Sequence, residues 1–274
     1  MDDSSLVRTA LSIAGSDSGG GAGIQADLKA FARCGVHGTT AITALTAQNT
    51  VGVEMVEPVA PEMILAQVRA VASDIGVDAV KVGMLGDETT IEAVAQALGL
   101  VPSAPVVVDP VMVAESGATL LDPNAKAALI ERILPLASVV TPNLAEARSL
   151  AGAGEGTDAA ELARAVQALG PAAVIVTGGH TEDGADTLFD GDGVLRIEGP
   201  RYPAGASSHG SGCTHSSALA AFLARGEELA DAARWAREIA AEAVGHGLRS
   251  IGSGAGPVDV FALASRAAAG PLGS

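Results

Sequence analysis

The sequence predicts an α/β protein built on a mostly parallel sheet with helices on both faces. Three observations carry that prediction. Short runs such as PVVVD (Pro105 to Asp109) and AAVIVTG (Ala172 to Gly178) are apolar almost throughout, as strands buried on both faces must be. They alternate with segments of helical period, the order of a βαβ chain. Asp109, Thr141, Asn143 and Thr177 fall at or just past the ends of such runs, where open parallel sheets place their ligands.

The first strand is expected at TALSIA (Thr9 to Ala14), followed by a helix over AGIQADLKAFARCG (Ala22 to Gly35). TTAITALTA (Thr39 to Ala47), AVKVG (Ala79 to Gly83), PVVVD, SVVT (Ser138 to Thr141) and AAVIVTG read as further strands, being rich in β-branched residues. Between them, helical patterns cover Pro61 to Ile75, Thr89 to Leu98, Pro123 to Leu134, Leu144 to Leu150 and Asp158 to Leu169. TLFDGDGVLRIEG (Thr187 to Gly199) breaks the alternation, because an Asp-Gly turn between two β-like runs is a hairpin signal. Antiparallel strands are therefore expected to finish the sheet. After Gly212 only helices are expected, including Glu228 to Val244 and Val258 to Ala268. No repeat, charge block or long linker divides the 274 residues, so one domain is expected, with residues 1–8 and 269–274 as flexible ends.

Composition narrows the function classes. Hydrophobic residues make up 48% of the chain, enough for a buried core, yet no apolar run approaches the roughly 20 residues that a bilayer requires. The start, MDDSSLVRTALSIAG, is acidic where a signal peptide would be basic, so a cytoplasmic protein is expected. A net charge of −16 with scattered Lys and Arg argues against a nucleic-acid groove. Cys34 and Cys213 lie far apart and outside metal-ligand spacing, which points to neither a disulfide framework nor zinc. An anionic ligand would have to be held mainly by backbone amides and a metal.

Gly15 to Gly23, GSDSGGGAG, joins the first strand to the first helix and offers close backbone approach. It does not match the dinucleotide-binding Gly-x-Gly-x-x-Gly spacing, and no acidic ribose partner follows about 20 residues later. Asp27 could meet a polar ligand or cap the first helical turn. SHGSGCTHSSALAA (Ser208 to Ala221) places glycines and a thiol at a helix start. The unpaired amides and the dipole there favour an anion and lower a cysteine pKa. That combination suggests an anion hole at Gly210, Ser211 and Gly212, with Cys213 beside it as base or nucleophile. The alternative is that Ser211 and Thr214 cap the helix while Cys213 packs as a small apolar group. Asp109, Asn143 and Glu146 offer oxygen ligands for a metal-nucleotide, or helix caps. Among His180, His209, His215 and His246 no pair has metal-site spacing, and His209 is the one expected nearest the site.

Read in order, SIAGSDSGGGAGIQADLKAF, ITALTAQNTVGV, KVGML, VVVDPVM, TPNLAEA, VTGGH, HGSGCT and GAGPVD resemble the hydroxymethylpyrimidine kinase / phosphomethylpyrimidine kinase family of thiamine biosynthesis, in the ribokinase-like superfamily. The resemblance runs from about Ala10 to Asp259. It implies a three-layer α/β/α sandwich, a mostly parallel central sheet with antiparallel edge strands, ATP and Mg2+ as cofactors, and a homodimer. The implied reaction phosphorylates 4-amino-5-hydroxymethyl-2-methylpyrimidine and then its monophosphate. By position, the resemblance puts the pyrimidine near Gly15, Asp27, Gln48, Met84 and Val111. Cys213 matches the residue that assists attack, and Gly210 to Gly212 match the anion hole. Asp109, Asn143 and Glu146 match the region of Mg2+ and the ATP phosphates, with Asp109 and Glu146 as metal ligands, while Thr177, Gly178 and Gly179 fall on the nucleotide side. Three positions depart from the family pattern. Thr177 replaces a usual Lys, so that Mg2+, Lys81 or the anion hole would have to supply the charge. Ser18 replaces a usual Pro, which should loosen the first loop. His215 stands where an apolar residue is common, with no assigned purpose. Rival readings are a pyridoxal kinase of the same superfamily, a non-catalytic pyrimidine-binding protein and, more distantly, a Rossmann dehydrogenase.

Overall fold

Strand β1 (Thr9–Ala14) occupies the interior of the main sheet, pairing in parallel with β2 (His37–Ile42) on one side and β5 (Ala79–Val82) on the other. The computed structural model describes residues 6–114, 117–179, 184–200 and 207–269. Parallel pairing continues through β6 (Val106–Val108), β7 (Val139–Val140) and β8 (Ala173–Val176). The hairpin β9 (Asp186–Phe189) and β10 (Val194–Ile197) then closes the far edge in antiparallel fashion, giving the order 10-9-8-7-6-5-1-2. His180, and the chain ends beyond residues 6 and 269, lie outside the described residues.

Side-chain alternation sorts the core into two layers. Leu11, Ile13, Val80, Val82, Val108 and Val174 face helices α2 (Pro61–Asp74), α3 (Glu88–Leu98), α5 (Leu144–Ala151) and α6 (Ala159–Gln167). Ala10, Ala79, Val107, Val139 and Ile175 face α1 (Gly23–Arg33), α7 (Ser211–Ala224) and α8 (Leu229–Gly245). Small residues on this second face, Ala218, Ala220 and Ala221 among them, let α7 lie close against the strands, where it is buried on nearly every side.

Several boundaries differ from the sequence reading. The single strand expected over Thr39 to Ala47 is two. At Thr43 the chain leaves the main sheet, its amide bound to Ala14 O and its hydroxyl to Met84 O, and β3 (Ala44–Gln48) pairs instead with β4 (Val53–Pro58), a strand not anticipated. The helix expected over Pro123 to Leu134 is α-helical only as α4 (Ala125–Ala128). It continues as a π turn over Leu129–Ile133 and a 3-10 turn over Leu134–Leu136, into Pro135, whose ring cannot join an α ladder. The last helix, α9 (Leu263–Ala269), starts five residues late. Val258 N bonds to His209 O and the Asp259 carboxylate caps the amides of Leu263 and Ala264, so this stretch is drawn out of the helix.

Candidate active site

The chain runs from β1 to one neighbour, β2, and later returns to the other, β5, so a crevice opens at the carboxyl ends of these strands. One cavity occupies it. Gly15 and Met84 border it at the ends of β1 and β5, Asp109 and Val111 follow β6, Asn143 follows β7, and Thr177 and Gly179 follow β8. Gln48 reaches it from β3, Glu146 from the first turn of α5, and Gly210, Ser211, Gly212 and Cys213 from the start of α7. Of the site residues expected from the sequence, all border this one cavity except Gly178, which lies in the turn behind it, and Asp27. That carboxylate is fully buried beneath it, bound by Ser12 Oγ at 2.6 Å, Ser217 Oγ at 2.7 Å and Lys81 Nζ at 2.9 Å. Its oxygens are occupied by protein, so it supports the floor of the cavity rather than touching a ligand.

The start of α7 is held by the glycine loop. Gly210 takes φ +87°, and a Cβ there would stand 1.8 Å from Gly21 O, so only glycine lets the two turns approach. Helix geometry leaves the amides of Gly212 and Cys213 without intrahelical acceptors. Opposite them, Asp17 organises the loop: its carboxylate accepts the amides of Gly19, Gly21 and Ala22 and contacts His209 Nε2 at 2.9 Å. Burial pushes the Asp17 carboxyl up, but the hydrogen bonds from His209 and the loop amides outweigh it and hold the pKa below its ordinary value. Ser18, expected to loosen this loop, ties it down by donating to Gln48 O and accepting from Gln48 N.

In the floor itself lies Lys81, fully buried on β5 and bordering the cavity, 2.9 Å from Asp27 and 4.0 Å from Asp109. Burial pulls its ammonium down, yet the negative groups at Asp27, Cys213 and Asp109 win and leave the pKa raised. Asp109, which accepts from Ser216 Oγ at 3.1 Å, is raised by burial against the pull of Lys81. Glu146 is raised to about 8, first by burial and then by repulsion from Asp109. Asn143 and Glu146 also form a reciprocal cap at the start of α5, so capping and facing the cavity turn out not to be alternatives.

The lowered thiol pKa expected at Cys213 is corrected. Burial pushes it up to about 12; Lys81 draws it down, while Asp109 and Asp27 push it further up. The helix start is outweighed because the thiol sits above two carboxylates in a poorly solvated pocket.

Sequence reasoning left Asp17, Asp186 and Arg237 without a role, though each borders the cavity. A signal for Asp17 existed, since a lone acid among glycines is a natural acceptor for loop amides. Arg237 lies deep in α8, far from any motif, and carried none.

The same architecture occurs in a solved ADP complex of Bacillus subtilis pyridoxal kinase. It superposes with a TM-score of 0.86 at 38% identity, over 94% of this chain and 99% of that one. Fold and site together define a ribokinase-like kinase of small molecules. The family model described as phosphomethylpyrimidine kinase matches residues 17–259. A hydroxymethylpyrimidine/phosphomethylpyrimidine kinase of Rhizobium meliloti is 51% identical over 262 residues, 93% of this chain and 98% of its own length. The bifunctional thiamine-biosynthesis protein ThiED of Geobacter sulfurreducens is 46% identical over 253 residues, which span 91% of this chain and 51% of that protein. The chain belongs to the phosphomethylpyrimidine kinase family.

Proposed function

We propose that the protein transfers the γ-phosphoryl of ATP to the hydroxymethyl group of 4-amino-5-hydroxymethyl-2-methylpyrimidine and then to the resulting monophosphate, in thiamine biosynthesis. The observation that carries this reading is the joining of three surfaces in one cavity. A mixed wall of Gly15, Gln48, Met84 and Val111 suits a small polar ring, the α7 start suits a phosphoryl group, and the turn after β8 suits a nucleotide. β8 lies three strands from β5, about 14 Å at ~4.8 Å per strand, room for a phosphate chain between the two ends.

Gln48 offers both donor and acceptor to the edge of an aminopyrimidine, and Met84 and Val111 pack against its ring. The amides of Gly212 and Cys213, at the positive end of α7, stabilise charge on the transferring group. Transfer is largely a matter of positioning and electrostatics, with the attacking and leaving oxygens in line. The first transfer must release an alcohol proton, and Cys213 receives it in the small fraction present as thiolate, because burial holds the thiol pKa up at about 12 against the pull of Lys81. The second needs no such help, because a phosphate monoester, with a second pKa of about 6, is already anionic at neutral pH.

The residues present fit a hard divalent cation. Asp109 and Glu146 are oxygen donors at the cavity wall, and burial first, then repulsion from Asp109, raises Glu146. Mg2+ bound there would neutralise phosphate charge. The reading includes a cytoplasmic homodimer, supported by family membership.

ADP release with the pyrimidine alcohol, its monophosphate and pyridoxal, measured side by side with Mg-ATP, tests the proposal. Turnover of the first two is expected. Turnover of pyridoxal alone would overturn it in favour of a pyridoxal kinase, and binding without ADP in favour of a non-catalytic binding protein.

A further inference from the structure

A buried polar cluster behind the Thr177–Gly179 turn has no part in the transfer described above. Asp186 opens β9, His215 follows Ser211 by one turn of α7, and Arg237 lies on α8; they are 1%, 4% and 2% exposed and all border the cavity. Asp186 Oδ1 accepts the Gly178 amide at 2.8 Å and stands 3.7 Å from Arg237 Nε, while its Oδ2 lies 3.1 Å from His215 Nε2, within ion-pair distance but without the angle of a hydrogen bond. Arg237 also donates to the carbonyls of Gly184 and Pro200.

One carboxylate thus joins the helix whose start takes the phosphoryl group, a second helix, and the turn after β8. That turn has no slack, because a Cβ at Gly178 would lie 1.8 Å from Ala185 O, next to Asp186 in the chain. Movement of the Asp186 carboxylate therefore carries the backbone of the turn with it. His215 projects from the same rigid helix as Gly212 and Cys213, which makes its distance to Asp186 a ruler between the two ends of the phosphate chain.

We infer that His215 is a positioning residue for the nucleotide: held against Asp186, it fixes the Gly178–Gly179 turn relative to the start of α7. The inference rests on the proposed siting of the nucleotide at the β8 end. Its ring acts on the turn through Asp186 rather than by taking part in the chemistry, so its loss should weaken nucleotide use selectively.

Steady-state kinetics of purified His215→Leu, His215→Gln and Asp186→Asn, each checked by thermal melting, test this. His215→Leu should raise KM for ATP about tenfold, equivalent to ~1.4 kcal/mol, with KM for the pyrimidine within about twofold. His215→Gln, whose amide nitrogen can occupy the place of Nε2, should recover most of that loss, and Asp186→Asn should reproduce the Leu phenotype. If His215→Leu does not fold, the Asn and Gln variants carry the same comparison. A lowered melting temperature with both KM values unchanged would overturn the inference and leave the nucleotide siting intact. A rise confined to the pyrimidine KM would overturn both.

Discussion

Replacing Lys81 by Met removes the one cation that, among the described residues, forms an ion pair with Asp27 and also stands against Asp109. Lys81 and Asp27 are both fully buried and 2.9 Å apart, with Asp109 at 4.0 Å. Breaking a buried pair from one side leaves an uncompensated charge and costs about 3–5 kcal/mol. At roughly 2–4 °C per kcal/mol for a chain of this size, the melting temperature should fall by about 6–20 °C. Lys81→Met/Asp27→Asn should regain about half of that, because an amide at position 27 still offers an acceptor to a serine hydroxyl without a charge to bury. The assay is thermal and urea unfolding at pH 7 for the two single variants and the double. A Lys81→Met shift under about 2 °C, or a double variant no better than Lys81→Met alone, would refute the claim that the ion pair holds the floor of the site.

Gly210→Ala should abolish both transfers, since it forces a side chain into φ +87° and onto Gly21 O; left-handed strain alone costs about 1–3 kcal/mol, and ADP release with each acceptor is the measure. Cys213→Ala should slow the first transfer by about 10²–10⁴-fold, the usual range for a lost acid–base group, and the second by less than about tenfold. Because burial pushes the thiol up to about 12, the thiolate fraction rises throughout the neutral range, so the first transfer should quicken with pH between about 6 and 9 in the wild type and lose that slope in Cys213→Ala. Equal losses in both steps would remove the base assignment. Glu146 holds its proton up to about pH 8 when folded, whereas a free Glu releases it near 4.5. Without divalent cations the native state therefore binds more protons than the unfolded chain in that window, and the stability from this group falls as pH rises through it. Glu146→Gln should gain stability relative to wild type at pH 8 compared with pH 5, and parallel urea midpoints at both values would contradict this.

Much of the fold was legible because its signals are local. Runs such as VVVD and VIVTG pack both faces of a sheet whatever lies elsewhere, and the Asp-Gly turn near Asp190 and Gly191 marks a hairpin by its own backbone needs. The small β3–β4 sheet was not, because TTAITALTA has one continuous β pattern. Only the bonds of Thr43 to Ala14 O and Met84 O show where the chain leaves one sheet for another.

By itself, the sequence determined the α/β class, the strand ends that border the cavity, and the glycines and thiol at the start of α7, since each depends on neighbours within a few residues. Tertiary structure alone decided which charges meet. Asp27 and Lys81 are 54 residues apart in the chain, and Asp186, His215 and Arg237 come from a strand and two helices. The state of Cys213 was settled the same way: a helix start favours a thiolate, but burial above Asp109 and Asp27 reverses that preference, and burial is a property of the packed layers rather than of the motif.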